Sequence, residues 1–64
     1  MSDIIIKRAS ESIGKEVKIF LENGWRYAGK LTNSDEKHLE ILDKKSGSYK
    51  IINILEIKDM EIFE

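Results

Sequence analysis

The side chains able to do chemistry are few here, and they do not assemble into a reactive set. There is one histidine, His38, and no cysteine. Without a second histidine or a thiol beside it, His38 lacks the company of a metal site and has no nucleophile to deprotonate. Asp35 and Glu36 stand just ahead of it. They read either as paired carboxylates or as a turn in which Asp35 bonds its own backbone. His38 itself can hydrogen-bond or stack on an unpaired base, or stand solvated at the start of a strand. Trp25 and Tyr27 share a strand face and could offer a stacking platform, or Tyr27 could serve the core while Trp25 stays half exposed beside a turn. Lys44 and Lys45 read as a solvated hairpin tip or a phosphate contact. Asn53, between Ile52 and Ile54, needs hydrogen-bond partners if it is buried. No nucleophile–base set, phosphate loop or metal cluster is present in this pattern. The expectation is a protein without catalytic residues and without a cofactor or metal, which binds rather than reacts.

The elements that must position these residues follow from spacing. Asn23-Gly24 lies between two alternating apolar runs, a strong hairpin signal because both residue types tolerate the positive φ of a tight turn. Before it, Val17, Ile19 and Leu21 alternate with Glu16, Lys18, Phe20 and Glu22, as in a half-buried strand. After it, Trp25, Tyr27, Gly29 and Leu31 share one face. Gly29 inside that run marks a sharp bend or a close backbone approach. Thr32 to Lys37 reads as a polar turn, and His38 to Asp43 as a third strand with Leu39 and Ile41 inward. Lys44 to Ser48 is a solvated turn. At the N-terminus, Ser2-Asp3 can cap a helix over about residues 4–13, with Ile5, Ile6, Ala9 and Ile13 as its apolar face and Gly14 as its stop.

Size and charge constrain what such a domain can do. The chain has 64 residues, which predicts a single domain over 1–64. A core this small rarely supplies more than about 3–5 kcal/mol. With disulfides excluded, association between copies is the remaining source of stability. The segment from Ile51 to Ile62 points the same way. Ile51, Ile52, Ile54, Leu55, Ile57, Met60 and Ile62 place apolar groups on both faces, as strands covered by a second subunit do. The formal charge of −1 lacks the basic excess of proteins that hold long duplexes by their phosphates, so any nucleic-acid contact must be local. No apolar run is long enough to span a bilayer, and the expected location is cytoplasmic.

The order helix, strand, Asn-Gly turn, glycine-bent strand, strand, polar turn and two apolar strands resembles the Sm/LSm family, which includes archaeal Sm-like proteins and Hfq. Val17, Ile19, Leu21, Gly24, Tyr27 and Gly29-Lys30-Leu31 match its first motif, with Asp35 as the loop aspartate. His38-Leu39-Glu40-Ile41-Leu42-Asp43 overlays its Asn-Leu-x-Leu-x-Asp run. The resemblance implies a mainly β, strongly bent five-stranded antiparallel Sm-like barrel with a short N-terminal α-helix. It also implies a homo-oligomeric ring, hexameric or heptameric, that binds single-stranded, U-rich RNA around its opening. Asp35, Lys37, His38 and Asn53 take the RNA-binding positions. Two departures alter that site. His38 replaces the base-contacting asparagine after a shortened loop, and Asn53-Ile54 stands where the family carries Arg-Gly. A ring-forming scaffold that binds other proteins and no RNA is the alternative these losses imply.

Overall fold

The computed structural model describes residues 3–64. A helix, α1 (Asp3–Ser10), precedes strands β1 (Glu16–Leu21), β2 (Arg26–Ser34), β3 (His38–Asp43) and β4 (Tyr49–Asn53). A single 3₁₀ turn, η1 (Ile54–Glu56), leads into β5 (Ile57–Phe63). All neighbouring strands are antiparallel, in the order β4-β3-β2-β1-β5. The fold is the mainly β, strongly bent five-stranded arrangement expected, with one short helix. The sheet stays open, leaving β4 and β5 as its two edges. None of the helices described is long and apolar enough to cross a membrane.

The core follows the alternation in the sequence. Val17, Ile19 and Leu21 of β1, Leu31 of β2, and Leu39 and Ile41 of β3 all point inward and are buried. Ala9 seals one side where α1 lies over β2. Two devices bend the sheet. The β2–β3 register shifts at Thr32 and the β1–β5 register shifts between Phe20 and Leu21; such bulges tighten local twist and curvature. Gly29 allows β3 to pass close over β2. A Cβ built there would lie 2.1 Å from the Leu42 carbonyl oxygen.

Several elements differ from expectation, each for a local reason. The helix stops at Ser10 rather than near Ile13, which is 47% exposed. Ser10 Oγ donates to the Lys7 carbonyl at 2.8 Å. Gly14 N donates to Leu31 O at 2.7 Å while Lys15 O accepts from Leu31 N at 2.9 Å. The chain is therefore drawn into strand geometry before another helical turn can form. Ser2, the expected cap, lies outside the described residues. At the hairpin only Gly24 has positive φ, at 93°. Gly24 N donates to Leu21 O and Leu21 N to Trp25 O, while Asn23 Oδ1 accepts from Trp25 N. This is the longer loop with one left-handed glycine, and not a tight turn with two positive-φ residues. Thr32 to Ser34, expected in a turn, continue β2; Asn33 and Ser34 pair with Glu40 and Leu39 of β3, and Thr32 is the bulged residue ahead of them.

The apolar C-terminal segment resolves into two groups. Ile52, Ile54 and Ile57 are buried in the chain's own core, whereas Ile51 and Leu55 stand 68% and 82% exposed. Met60 and Ile62 pack partly against the core. The spacing changes because η1 interrupts the strand. Asn53 Oδ1 accepts from Leu55 N at 2.9 Å, capping η1 and turning the chain so that Ile52, Ile54 and Ile57 all face inward.

Candidate nucleic-acid interface

The loop between β2 and β3 is built around one carboxylate. Asp35 Oδ1 accepts from the backbone N–H groups of Lys37 and His38, both at 2.7 Å, and Asp35 N donates to His38 O at 2.9 Å. Asp35 therefore bonds its own backbone, and fixes where Lys37 and His38 emerge. The Lys37 N–H, then that of His38, hold its carboxyl below the ordinary aspartate value, because both bonds favour the ionised form. His38 Nδ1 lies 3.9 Å from Asp35 Oδ1, too far for a hydrogen bond, so the imidazole is not consumed by its neighbour.

The start of β5's connection is tied to this loop. His38 and Asn53 are register partners across β3 and β4, and Ile54 N donates to Lys37 O at 2.8 Å. Asp35, Lys37, His38 and Asn53, separated by up to 18 positions in sequence, thus meet at one end of the sheet. All four are exposed. Asn53 spends its side-chain oxygen on the η1 cap, which leaves Nδ2 as the group it can present outward.

Beside this rim lies an open groove of about 390 Å³ lined by Asn33, Ser34, Asp35, His38, Glu40 and Ile51, with Leu39 at its base. Lys37 and Asn53 flank it and do not line it. Asn33, Ser34 and Glu40 were not expected here. Their arrival depends on β2 running through to Ser34, with Asn33 opposite Glu40. Ile51, expected at a subunit contact, lines the groove opposite Glu40 on the outer face of β4. Thr32 Oγ1 donates to both Glu40 O (3.1 Å) and Glu40 Oε1 (2.9 Å), which fixes this carboxylate's direction.

The electrostatics of the groove select among chemistries. Its lining carries the carboxylates of Asp35 and Glu40 and no lysine or arginine. That is a poor surface for phosphate. It is a suitable one for a base edge, whose N–H groups a carboxylate can accept and whose carbonyls an imidazole or amide N–H can donate to. Trp25 and Tyr27 do not join this site. Trp25 stands 64% exposed before β2, and Tyr27 packs partly against the core. Among the described residues no group of His, Cys, Asp and Glu is placed to hold a metal ion.

No family model matches the sequence, and no curated protein does. Among solved structures, the chain is similar to a crystal structure described as the pleiotropic translational regulator Hfq. The TM-score is 0.78 at 20% sequence identity, covering 91% of this chain and 97% of that one. At that identity the likeness is one of fold, and the fold is Sm-like.

Proposed function

We propose that this is an Sm-like RNA-binding protein that assembles into a homo-oligomeric ring and holds single-stranded RNA at the opening. The observation that carries the reading is the convergence of Asp35, Lys37, His38 and Asn53 on one rim beside an open polar groove. Uridine presents an acceptor–donor–acceptor edge. A carboxylate of Asp35 or Glu40 can take its N3–H while His38 or Asn53 Nδ2 donates to a flanking carbonyl. This complementarity supports a U-rich preference without the missing arginine. The ring reading is supported by the two unpaired sheet edges, β4 and β5, and by the exposed Ile51, Leu55 and Tyr49 on or beside the β4 edge. Met60 and Ile62 supply half-buried apolar surface on β5. A hexamer or heptamer would close such an edge-to-edge series without free strands. The similar structure is described as a translational regulator; a role in RNA regulation or processing in the cytoplasm, with no catalytic step, belongs to the same proposal.

Two observations favour a second reading, a ring-forming scaffold that binds no RNA. Asn53 uses its oxygen in a backbone cap, and the groove carries net negative charge. Native mass spectrometry with and without an oligouridine strand separates the readings. A multiple of the 7.4 kDa chain mass that gains one strand supports RNA binding, and a multiple that gains none supports the scaffold. A monomer overturns both.

A further inference from the structure

A row of three residues crosses the groove beside the rim. Asn33 in β2 lies opposite Glu40 in β3, which in turn lies opposite Ile51 in β4. Strand alternation puts His38 on the same face as Glu40, about 7 Å away along β3. All four line the groove. Glu40 is the half-buried member of the row, and ion pairing does not account for it. Among the described residues no lysine or arginine is paired with it. The hydroxyl of Thr32, the bulged residue of β2, holds Glu40 Oε1 at 2.9 Å, and no hydrogen bond among the described residues reaches Oε2. Beside it, Asn33 Oδ1 accepts from Ser34 N at 2.8 Å, which leaves Asn33 Nδ2 to donate outward. Asp35, by contrast, spends Oδ1 on its own loop.

The groove therefore presents a directed carboxylate next to an amide donor, with an apolar wall at Ile51. A carboxylate only accepts, and its two oxygens are matched best by two adjacent N–H groups. Among the four RNA bases guanine alone carries two adjacent donors, N1–H and the N2 amine, followed on the same edge by the O6 acceptor. Uracil sets one donor between two carbonyls and can engage a single carboxylate oxygen. Adenine would turn the lone pair of N1 against the carboxylate. We infer that this groove is a guanine subsite beside the uridine positions of the rim. Glu40 accepts N1–H and the N2 amine on Oε2 and the remaining lone pair of Oε1, Asn33 Nδ2 donates to O6, and the ring lies against Ile51. Thr32 is a positioning residue that acts through the direction of Glu40. The site shares the walls Asp35 and His38 with the rim, but its base-reading groups lie outside the four rim residues. Glu40 stands at an unspecified position of the Asn-Leu-x-Leu-x-Asp run. The inference rests on the RNA-binding reading.

Fluorescence anisotropy of the full chain tests the assignment, with a short oligouridine strand in which one central uridine is replaced by guanosine, inosine or adenosine. The guanosine strand should bind tightest. Inosine keeps N1–H but lacks the amine, and should lose about tenfold, the loss expected for one hydrogen bond to a charged group; adenosine should lose more. Glu40→Gln keeps the shape and an oxygen for Thr32 but presents an amide donor. It should weaken the guanosine strand by about tenfold and strengthen the adenosine strand, whose N1 can accept. Thr32→Val should narrow the preference for guanosine over adenosine and Thr32→Ser should restore it, a pattern that a merely structural role would not give. Circular dichroism and light scattering check that each variant keeps the parent's fold and mass. If unmodified oligouridine binds but the guanosine strand binds no better than the adenosine strand, the guanine subsite is overturned while the RNA-binding reading stands. A preference unchanged in Glu40→Gln overturns the subsite as well. If no strand binds, both fall.

Discussion

Adding a single methyl group at Gly29 should cost this domain most of its stability. A Cβ there would lie 2.1 Å from Leu42 O, 2.9 Å from Leu42 C and 3.2 Å from Asp43 Cα, all backbone atoms. Real Cβ atoms essentially never approach closer than 3.0 Å, so the oxygen must retreat by about 1 Å. That carbonyl belongs to a strand paired on both sides, opposite Lys30 in β2 and Tyr49 in β4, so no flexible side chain can absorb the movement. Opening the ladder at Gly29–Asp43 and Lys30–Leu42 forfeits two backbone hydrogen bonds at about 0.5–1.5 kcal/mol each. Residual overpacking adds about 1–3 kcal/mol. The sum, about 2–6 kcal/mol, is comparable to all that so small a core provides. At about 4–8 °C per kcal/mol, Gly29→Ala should lower Tm by at least about 8 °C, and Gly29→Val should fail to accumulate as soluble protein. Gly24→Ala is the control. Nothing lies within 4 Å of its Cβ, and only the left-handed φ is penalised, by about 1 kcal/mol or about 4–8 °C. Circular-dichroism melts at matched protein concentration read both, since self-association raises apparent stability. If Gly29→Ala melts within 5 °C of the parent, or loses no more than Gly24→Ala, the close approach of β3 over β2 is not what requires glycine.

Other perturbations separate the chain's own core from surfaces that a second copy would cover. Ile54→Lys places an unpaired charge in the core and should unfold the chain, whereas Leu55→Lys should keep its circular-dichroism spectrum but lower the mass seen by light scattering; an unchanged mass for Leu55→Lys would remove Leu55 from any contact. His38→Ala should weaken oligouridine binding in fluorescence anisotropy without altering mass, and Asn53→Arg should strengthen it; binding absent from the parent and not gained by Asn53→Arg in an intact ring would leave the scaffold reading. Asn53→Ala should in addition lose about 1 kcal/mol of stability, as capping residues do, detectable as a Tm shift of about 4–8 °C. Asp35 and Asp43 both have carboxyls held below the ordinary value by N–H donors from their own turns. Their folded-state values are the depressed ones, so the stability they add is present above pH 3.8 and is lost as the pH falls through the lowered values. A melt series from pH 7 downward should therefore show the gap between the parent and Asp35→Asn closing only in strong acid; a gap that closes near neutrality would contradict that bonding.

The parts of this fold that could be read from sequence are those where one physical rule acts alone. β1 and β3 show their inward residues by strict alternation, and Gly29 announces a close approach because no other residue permits one. The misread parts are those where two rules compete. Thr32, Asn33 and Ser34 have turn-like composition, yet pairing with β3 holds them extended, and the bulge at Thr32 is visible only once the partner strand is known. Ile51 to Ile57 reads as apolar on both faces only under an unbroken period of two. The η1 turn, capped by Asn53, breaks that period and brings Ile52, Ile54 and Ile57 to one side. The same residue thus explains a pattern in the core and a position at the rim. The rim residues were found through motif resemblance. The groove beside them was not, because Asn33, Ser34 and Glu40 reach it only through the extended β2.

On the proposed RNA-binding reading, the composition of that groove changes what asparagine at position 53 means. A cation at Asn53 would add long-range attraction to phosphate, but the lining already holds two carboxylates, so such attraction would be opposed locally. On that reading, asparagine would give up affinity per subunit and keep hydrogen-bonding selectivity for a base edge. Selectivity of this kind is useful only if several copies act on one strand. Linked contacts gain from effective concentration, and single ones of this strength would not hold RNA against dilution. The unpaired edges β4 and β5 provide a route to such repetition through strand-to-strand closure. Assembly and binding are then one requirement rather than two. A variant that breaks the ring, such as Leu55→Lys, should lose oligouridine binding although it touches none of the rim residues. An isolated subunit that retained the parent's affinity would show that repetition is not the source of it.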